Sequence, residues 1–347
     1  MLGEVLTTGV RSDSISGGDT NESGQSPWRT DGELGAEQPR HAGLARRGPA
    51  TLKPAPFSYH RAGDAAEAAS LLAELGDDAK VLAGGQSLIP LLALRLTRFD
   101  HLIDLNRAAD LSGIEVTGSE IRLGATVRQT DVVRSSALAD RLCLLPLASQ
   151  QVGHFQIRNR GTVGGSVAHA DPAAEYPAVA VALDAAVDLL SASGSRSVSA
   201  SDFFLSTFVT AIQPEELLTT LRFPVWGERS GFAVEEAARR SGDFAIAGAV
   251  AGVQLGSDDR ISRAAIALFG VGSTPVRIAA AEAGLIGQAR SELTESALAE
   301  LGRLAVEGVD PPADVHASAR YRRHLAAVMV ARAVRHAVES GTPEGRS

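Results

Sequence analysis

The sequence predicts an α+β fold in two domains, and three observations carry that prediction. With 347 residues the chain is long enough for two units that each bury a core. Between residues 52 and 226 helical and strand patterns alternate, punctuated by paired glycines. From Gly231 onward the strand patterns come first and the helical ones follow, the order expected of a sheet covered by a helical layer. The domains are accordingly placed at 52–226 and 231–340.

Residues 1–51 stand apart. They are rich in Gly, Ser, Asp, Glu and Arg, and stretches such as Ser16-Gly17-Gly18-Asp19-Thr20-Asn21 offer too little apolar surface to offset the entropy of ordering. They read as a disordered tail, or as the product of a start assigned too far upstream, with the folded sequence opening at Lys53-Pro54-Ala55-Pro56-Phe57.

The first domain is well punctuated. Asp64 followed by Glu67 predicts a capping box, and Ala65, Ala68, Ala69 and Leu72 share one face of the helix it opens. Gly76 closes that helix. A buried strand at 80–83 leads into Gly84-Gly85-Gln86-Ser87, where Ser87 is the expected N-cap of a helix with Pro90 in its first turn. Strands follow at 101–105 and 120–124, then a short helix capped by Thr130 and a helical stretch at 137–150. After the segment 153–166, a helix is expected from Pro172 to about Leu183, with strands at 186–190 and 217–223 closing the domain at Pro224. In the second domain, strands at 232–237, 245–255 and 261–269 predict a three-stranded antiparallel sheet. Helices at 276–286, 295–306 and 321–338 cover it.

Composition excludes several functions. Hydrophobic residues make up 44% and charged residues 21%, ordinary for a soluble globular protein, and the net charge of −8 favours neither nucleic acid nor an anionic membrane. Aromatic residues, at 4%, are too sparse for a single-strand stacking surface. The longest apolar stretch, 245–253, falls short of the ~20 residues of a membrane span, and the first thirty residues hold no secretory apolar segment. The chain reads as cytoplasmic. The one cysteine, Cys143, excludes an internal disulfide and a four-thiolate iron–sulfur cluster, and its leucine neighbours suggest a buried thiol. No Cys/His grouping predicts a metal, and no Ser/His/Asp constellation predicts a nucleophile, so no catalytic residue is assigned.

What remains is two glycine segments, Ala83-Gly84-Gly85-Gln86-Ser87 and Thr162-Val163-Gly164-Gly165-Ser166. Glycine permits positive φ and lets an oxyanion approach the backbone, so successive N–H groups can converge on phosphate. Two such segments suit the two sides of a dinucleotide pyrophosphate. Either alone is more readily an ordinary turn, because Gly-Gly marks turns generally.

Longer runs narrow the reading. Val81-Leu82-Ala83-Gly84-Gly85-Gln86-Ser87-Leu88-Ile89-Pro90, His101-Leu102-Ile103-Asp104-Leu105-Asn106 and Gly161-Thr162-Val163-Gly164-Gly165-Ser166-Val167-Ala168-His169-Ala170-Asp171-Pro172 resemble the medium, FAD-binding subunit of the carbon monoxide dehydrogenase/xanthine dehydrogenase family. Gln213-Pro214-Glu215-Glu216-Leu217-Leu218, Leu221-Arg222-Phe223-Pro224 and Arg239-Arg240-Ser241-Gly242-Asp243-Phe244-Ala245 extend the likeness, in order, over roughly residues 53–340.

The resemblance implies a PCMH-type (vanillyl-alcohol-oxidase-like) FAD-binding domain followed by a carbon monoxide dehydrogenase flavoprotein C-terminal domain. It implies that Ala83 to Ser87 and Thr162 to Ser166 wrap the FAD pyrophosphate, that Glu175 binds the adenosine portion and that Phe244 lies by the flavin ring. Glu175 is otherwise a first-turn helix residue, Phe244 a core residue, and His154 and His169 beside the second segment either approach the cofactor or belong to the scaffold. The implied partners are a large molybdenum-cofactor subunit and a small 2Fe-2S subunit, the complex being a dimer of heterotrimers. Carbon monoxide dehydrogenases proper carry Tyr and Lys where this chain has Phe244 and Glu236, so carbon monoxide itself is not implied as substrate. The PCMH fold also serves stand-alone flavin-dependent reductases such as UDP-N-acetylenolpyruvoylglucosamine reductase, which the C-terminal half resembles poorly. A structural subunit that has lost its flavin is a further alternative, opposed by the intact glycine segments.

Overall fold

A computed structural model describes residues 52–341; the expected N-terminal tail at 1–51 lies outside the described residues. The α+β expectation is borne out. A small parallel sheet comes first, in the order Ser58–Arg61, His101–Asp104, Ala79–Leu82. An antiparallel sheet of five strands follows, in the order Ile114–Val116, Glu120–Gly124, Leu217–Pro224, Ala186–Ser191, Gly194–Ser199. Its central strand is thus the last of the five in the chain, which returns to fill the middle. A short ribbon, Phe204–Ser206 with Val209–Thr210, completes the first domain's sheets.

The first helix, Ala65–Leu75, buries the four residues its periodicity selects, Ala65, Ala68, Ala69 and Leu72. Asp64 accepts from the Glu67 amide at 2.8 Å, but Glu67 reaches back one residue further than a capping box requires, to the Gly63 amide at 2.7 Å. Three other expectations are corrected. Ser87 already has a helical backbone and makes no capping bond to the six-residue helix Leu88–Ala93. Thr130 lies inside the helix Gln129–Arg134, whose leading amide is satisfied by the neighbouring chain: Gln129 donates to the Gly161 carbonyl at 3.0 Å. The helical stretch at 137–150 is two helices, Ser136–Arg141 and Leu144–Gln151. Pro146 explains that break, since in a continuous helix its ring would clash with the carbonyl of Leu142, where the first helix stops. Cys143, at the start of the second, is half-buried and packs against the core.

The helix expected from Pro172 begins at Glu175. The C-terminal sheet has four strands rather than three: Ser230–Ala237, Ala247–Leu255, Ile261–Phe269 and the two-residue Val276–Arg277, which takes the start of an expected helix. The covering helices are Ala279–Leu285, Glu295–Ala305 and Ala319–Ser340.

Alternation along Ile261–Phe269 shows where the core sits. Ala264, Ile266 and Leu268 join the cluster formed with Met329, Val330, Ala333 and Val334 of the long helix. Ala265, Ala267 and Phe269 join the first domain's cluster with Leu145, Tyr176 and Val179. The sheet is therefore buried on both faces, which is why its central strands read as continuous apolar runs. Polar links seal the same junction: Gly270 donates to the Pro172 carbonyl at 2.7 Å, and Arg277 pairs with Asp184.

Candidate functional site

The parallel sheet delivers the first glycine segment. Strand Ala79–Leu82 ends, and Ala83 to Ser87 turn the chain into the helix Leu88–Ala93. Gly85 sits at φ +74°, a conformation that costs an L side chain about 1–2 kcal/mol. Gly84 is needed for a different reason. A Cβ there would lie 2.4 Å from the Arg160 carbonyl oxygen and 2.9 Å from Gly161 Cα, both backbone. Among the described residues, the amides of Gly84, Gly85, Gln86, Ser87 and Leu88 find no protein acceptor. Successive open N–H groups on a turn can receive an anion where they point to a common side.

The second segment is built otherwise. It is the start of the helix Val163–His169, capped by Thr162, whose Oγ1 accepts from the Gly165 amide at 3.0 Å. Val163 donates to the Val127 carbonyl at 3.0 Å, Gly164 to Ala125 at 3.1 Å and Ser166 to Thr162 at 3.1 Å. The amides from Val163 to Ser166 are thus spent within the protein. Gly164 lies flat on the neighbouring chain, where a Cβ would meet Ala125 Cα and O at 2.6 Å. The two segments adjoin, since a Cβ on Gly165 would stand 3.8 Å from that of Ala83.

The remaining expected residues spread away from this meeting point. Glu175 opens the next helix and is 8% exposed. Burial pushes its carboxyl up to about 8, with Glu236 and Asp171 adding to the rise and its own backbone amide opposing it. Glu236, on the first C-terminal strand, is pushed up to about 7 by burial, and its Oε2 has no hydrogen-bond partner. Phe244 is 73% exposed, which removes the reading of a core phenylalanine. It follows Gly242, at φ +84°, where a Cβ would stand 2.6 Å from the His154 ring. His154 therefore packs the C-terminal domain's turn onto the first domain. His169 stacks on Phe208 with ring centroids 4.9 Å apart, and burial lowers its pKa, so it is neutral at physiological pH. Among the described residues no group of three or more His, Cys, Asp or Glu converges as a metal site, and no helix is long and apolar enough to cross a membrane.

Sequence reasoning missed one set of residues. Asn106 Nδ2 donates to the Ala83 carbonyl at 3.1 Å, and Asn106 Oδ1 accepts from Arg128 Nη2. The other arm of Arg128 donates to the Arg160 carbonyl. Asn106 also donates to Asp104, a carboxylate only 7% exposed that takes the Tyr59 hydroxyl as well. Asp104 and Asn106 lie inside a family-like run, but nothing in the sequence marks Arg128.

Residues 55–226 match the family model described as FAD binding domain in molybdopterin dehydrogenase, and 232–337 that of the CO dehydrogenase flavoprotein C-terminal domain. The chain is 41% identical over 296 residues to 6-hydroxypseudooxynicotine dehydrogenase complex subunit alpha of Paenarthrobacter nicotinovorans, covering 85% of this chain and 99% of the relative. It is 37% identical over 281 residues to the carbon monoxide dehydrogenase medium chain of Hydrogenophaga pseudoflava, covering 81% and 96%. Among solved structures, quinoline 2-oxidoreductase from Pseudomonas putida 86 superposes with a TM-score of 0.79 at 34% identity, covering 83% of this chain and 99% of that one. An FAD-binding domain, a flavoprotein C-terminal domain and relatives matched almost end to end together establish that this chain belongs to the FAD-binding medium-subunit family of the molybdenum hydroxylases, oxidoreductases of the carbon monoxide dehydrogenase and xanthine dehydrogenase type.

Proposed function

We propose that this chain is the FAD-holding subunit of a heterotrimeric molybdenum hydroxylase. In that complex it receives electrons from 2Fe-2S clusters on a small subunit, while a large molybdenum-cofactor subunit oxidises the substrate. FAD supplies one- and two-electron exchange, and the protein supplies position and electrostatics. The observation that carries the reading is the run of open amides from Gly84 to Leu88 beside the second glycine segment, in a chain of this family. Those amides receive the pyrophosphate, and the Thr162–Ser166 turn closes its other side. Glu175 takes the adenosine portion; as a neutral carboxyl it donates as well as accepts. Phe244, a large apolar ring left in solvent by its own chain, is the surface offered to the flavin ring. The FAD-binding part is 52–226 and the second domain 231–340.

The substrate pocket is assigned to the large subunit. Relatives named for 6-hydroxypseudooxynicotine, carbon monoxide and caffeine share this one scaffold, which suits a part that never touches substrate. The test is expression of the full-length chain alone and with its partners. Alone it should carry FAD, released on denaturation, and hydroxylate nothing; with partners it should co-purify with molybdenum and iron. Hydroxylation by the chain alone would sink the proposal, and so would a flavin-free visible spectrum in both preparations.

A further inference from the structure

The gap between the two glycine segments is held by side chains rather than by a continuous sheet. Asn106 ties down the Ala83 carbonyl, immediately before Gly84, at 3.1 Å. Arg128 ties down the Arg160 carbonyl, the same oxygen that sits 2.4 Å from where a Gly84 Cβ would be. These two anchors join each other through Arg128 Nη2 and Asn106 Oδ1. Asn106 is in turn fixed from below. Its side-chain amide and its backbone N–H, the latter at 2.9 Å, both donate to Asp104, which is nearly buried at the end of the central parallel strand and also accepts from Tyr59. Every polar atom of the Asn106 amide group is used, and so are both terminal nitrogens of the Arg128 fork.

We infer that Asp104, Asn106 and Arg128 form a positioning clamp that sets the spacing of the two glycine segments and thereby the affinity for a pyrophosphate-bearing ligand. The inference rests on the proposed FAD role of those segments. Its physical basis is preorganisation. Open amides bind an anion well only when they need no rearrangement, and ordering them at the moment of binding would subtract from affinity. The clamp requires a planar fork that donates in two directions at once, which an ammonium group on a flexible stem does not reproduce. A role for Arg128 as mere positive charge near phosphate would be met equally by lysine.

The experiment compares the flavin-free full-length chain with Asn106→Leu, Arg128→Lys and the double variant, titrating FAD and, separately, ADP, which carries the pyrophosphate without the flavin. Each single variant should weaken FAD at least tenfold and ADP by a similar factor. The double variant should be no weaker than the weaker single, because both remove the same chain of contacts. Melting of the flavin-free variants should fall by no more than about 2 °C, because the flavin site is not what holds the fold together. Wild-type affinity in Arg128→Lys would show the residue to act as charge alone and would overturn the clamp. Losses that multiply in the double variant, or that spare ADP, would overturn it as well. If wild type itself binds neither ligand, the FAD reading of the site fails, a result distinct from variants that match a wild type that binds.

Discussion

The two glycine segments share a sequence pattern and differ in nearly everything else. In the first, Gly85 adopts positive φ, Gly84 admits a neighbouring carbonyl, and the amides from Gly84 to Leu88 stay open. In the second, neither glycine needs positive φ, the amides from Val163 to Ser166 are spent, and Gly164 exists so that a helix start can lie against Ala125. One segment is a donor surface; the other is a packing joint that shapes its edge. Paired glycines with a hydroxyl residue therefore do not define one device. What decides is whether the backbone N–H groups have partners.

The largest expected effect comes from Gly84→Ala. Its Cβ meets backbone that has no flexible end to swing away, so flavin content should be lost and melting should fall together. Gly164→Ala should come next, costing about 1–3 kcal/mol as overpacking against Ala125, with flavin affinity reduced less than stability. The comparison breaks if Gly84→Ala keeps its flavin while Gly164→Ala loses it at unchanged melting temperature.

The second segment leads on to the buried carboxyl of Glu175, and pH sharpens the contrast. Glu175 is raised from an ordinary value of 4.5 to about 8, and Glu236 to about 7, so the folded chain binds more protons than the unfolded one between those values. Stability is then fully present below the ordinary value and is lost as pH rises through the folded one, on the order of 1 kcal/mol or more across the window. Melting measured from about pH 5 to about pH 9 should fall, and Glu175→Gln should flatten the curve. A wild-type profile that rises with pH would contradict the buried neutral carboxyls.

Thr162→Ala removes a single N-cap and should cost about 1 kcal/mol in thermal or denaturant unfolding, whereas Ser87→Ala, which removes no capping bond, should cost almost nothing. The smallest effect on stability belongs to Phe244→Ala, within about 0.5 kcal/mol because the ring is solvated, while the flavin absorption spectrum of the loaded protein should shift. A large stability loss there would return the ring to the core.

Legibility followed the range of the interactions. The apolar face of Ala65–Leu75, the closing role of Gly76 and the three long C-terminal strands were all readable, because each depends on residues within a turn or on a strand's own run. The glycine segments were readable as candidates but not as different devices, since the acceptors for the Val163 and Gly164 amides lie at Val127 and Ala125, far back in the chain. Thr130 is not the cap its local pattern allows because the Gly161 carbonyl already takes the Gln129 amide at that helix start, whereas Ser87 lies in the helical region itself and makes no capping bond.

By itself, then, the sequence determined the α+β class, the order of the elements, the candidate cofactor segments and the family likeness. Local periodicity, capping chemistry and contiguous motifs are written in neighbouring residues. Tertiary structure alone decided that Leu217–Pro224 fills the centre of its sheet, and that the C-terminal sheet is buried on both faces. It also decided that Phe244 stands in solvent and that Arg128 reaches Asn106 and Arg160, residues 22 and 32 positions away. Such contacts depend on how the chain returns upon itself. An arginine's neighbours in sequence do not reveal which distant carbonyl its fork will meet.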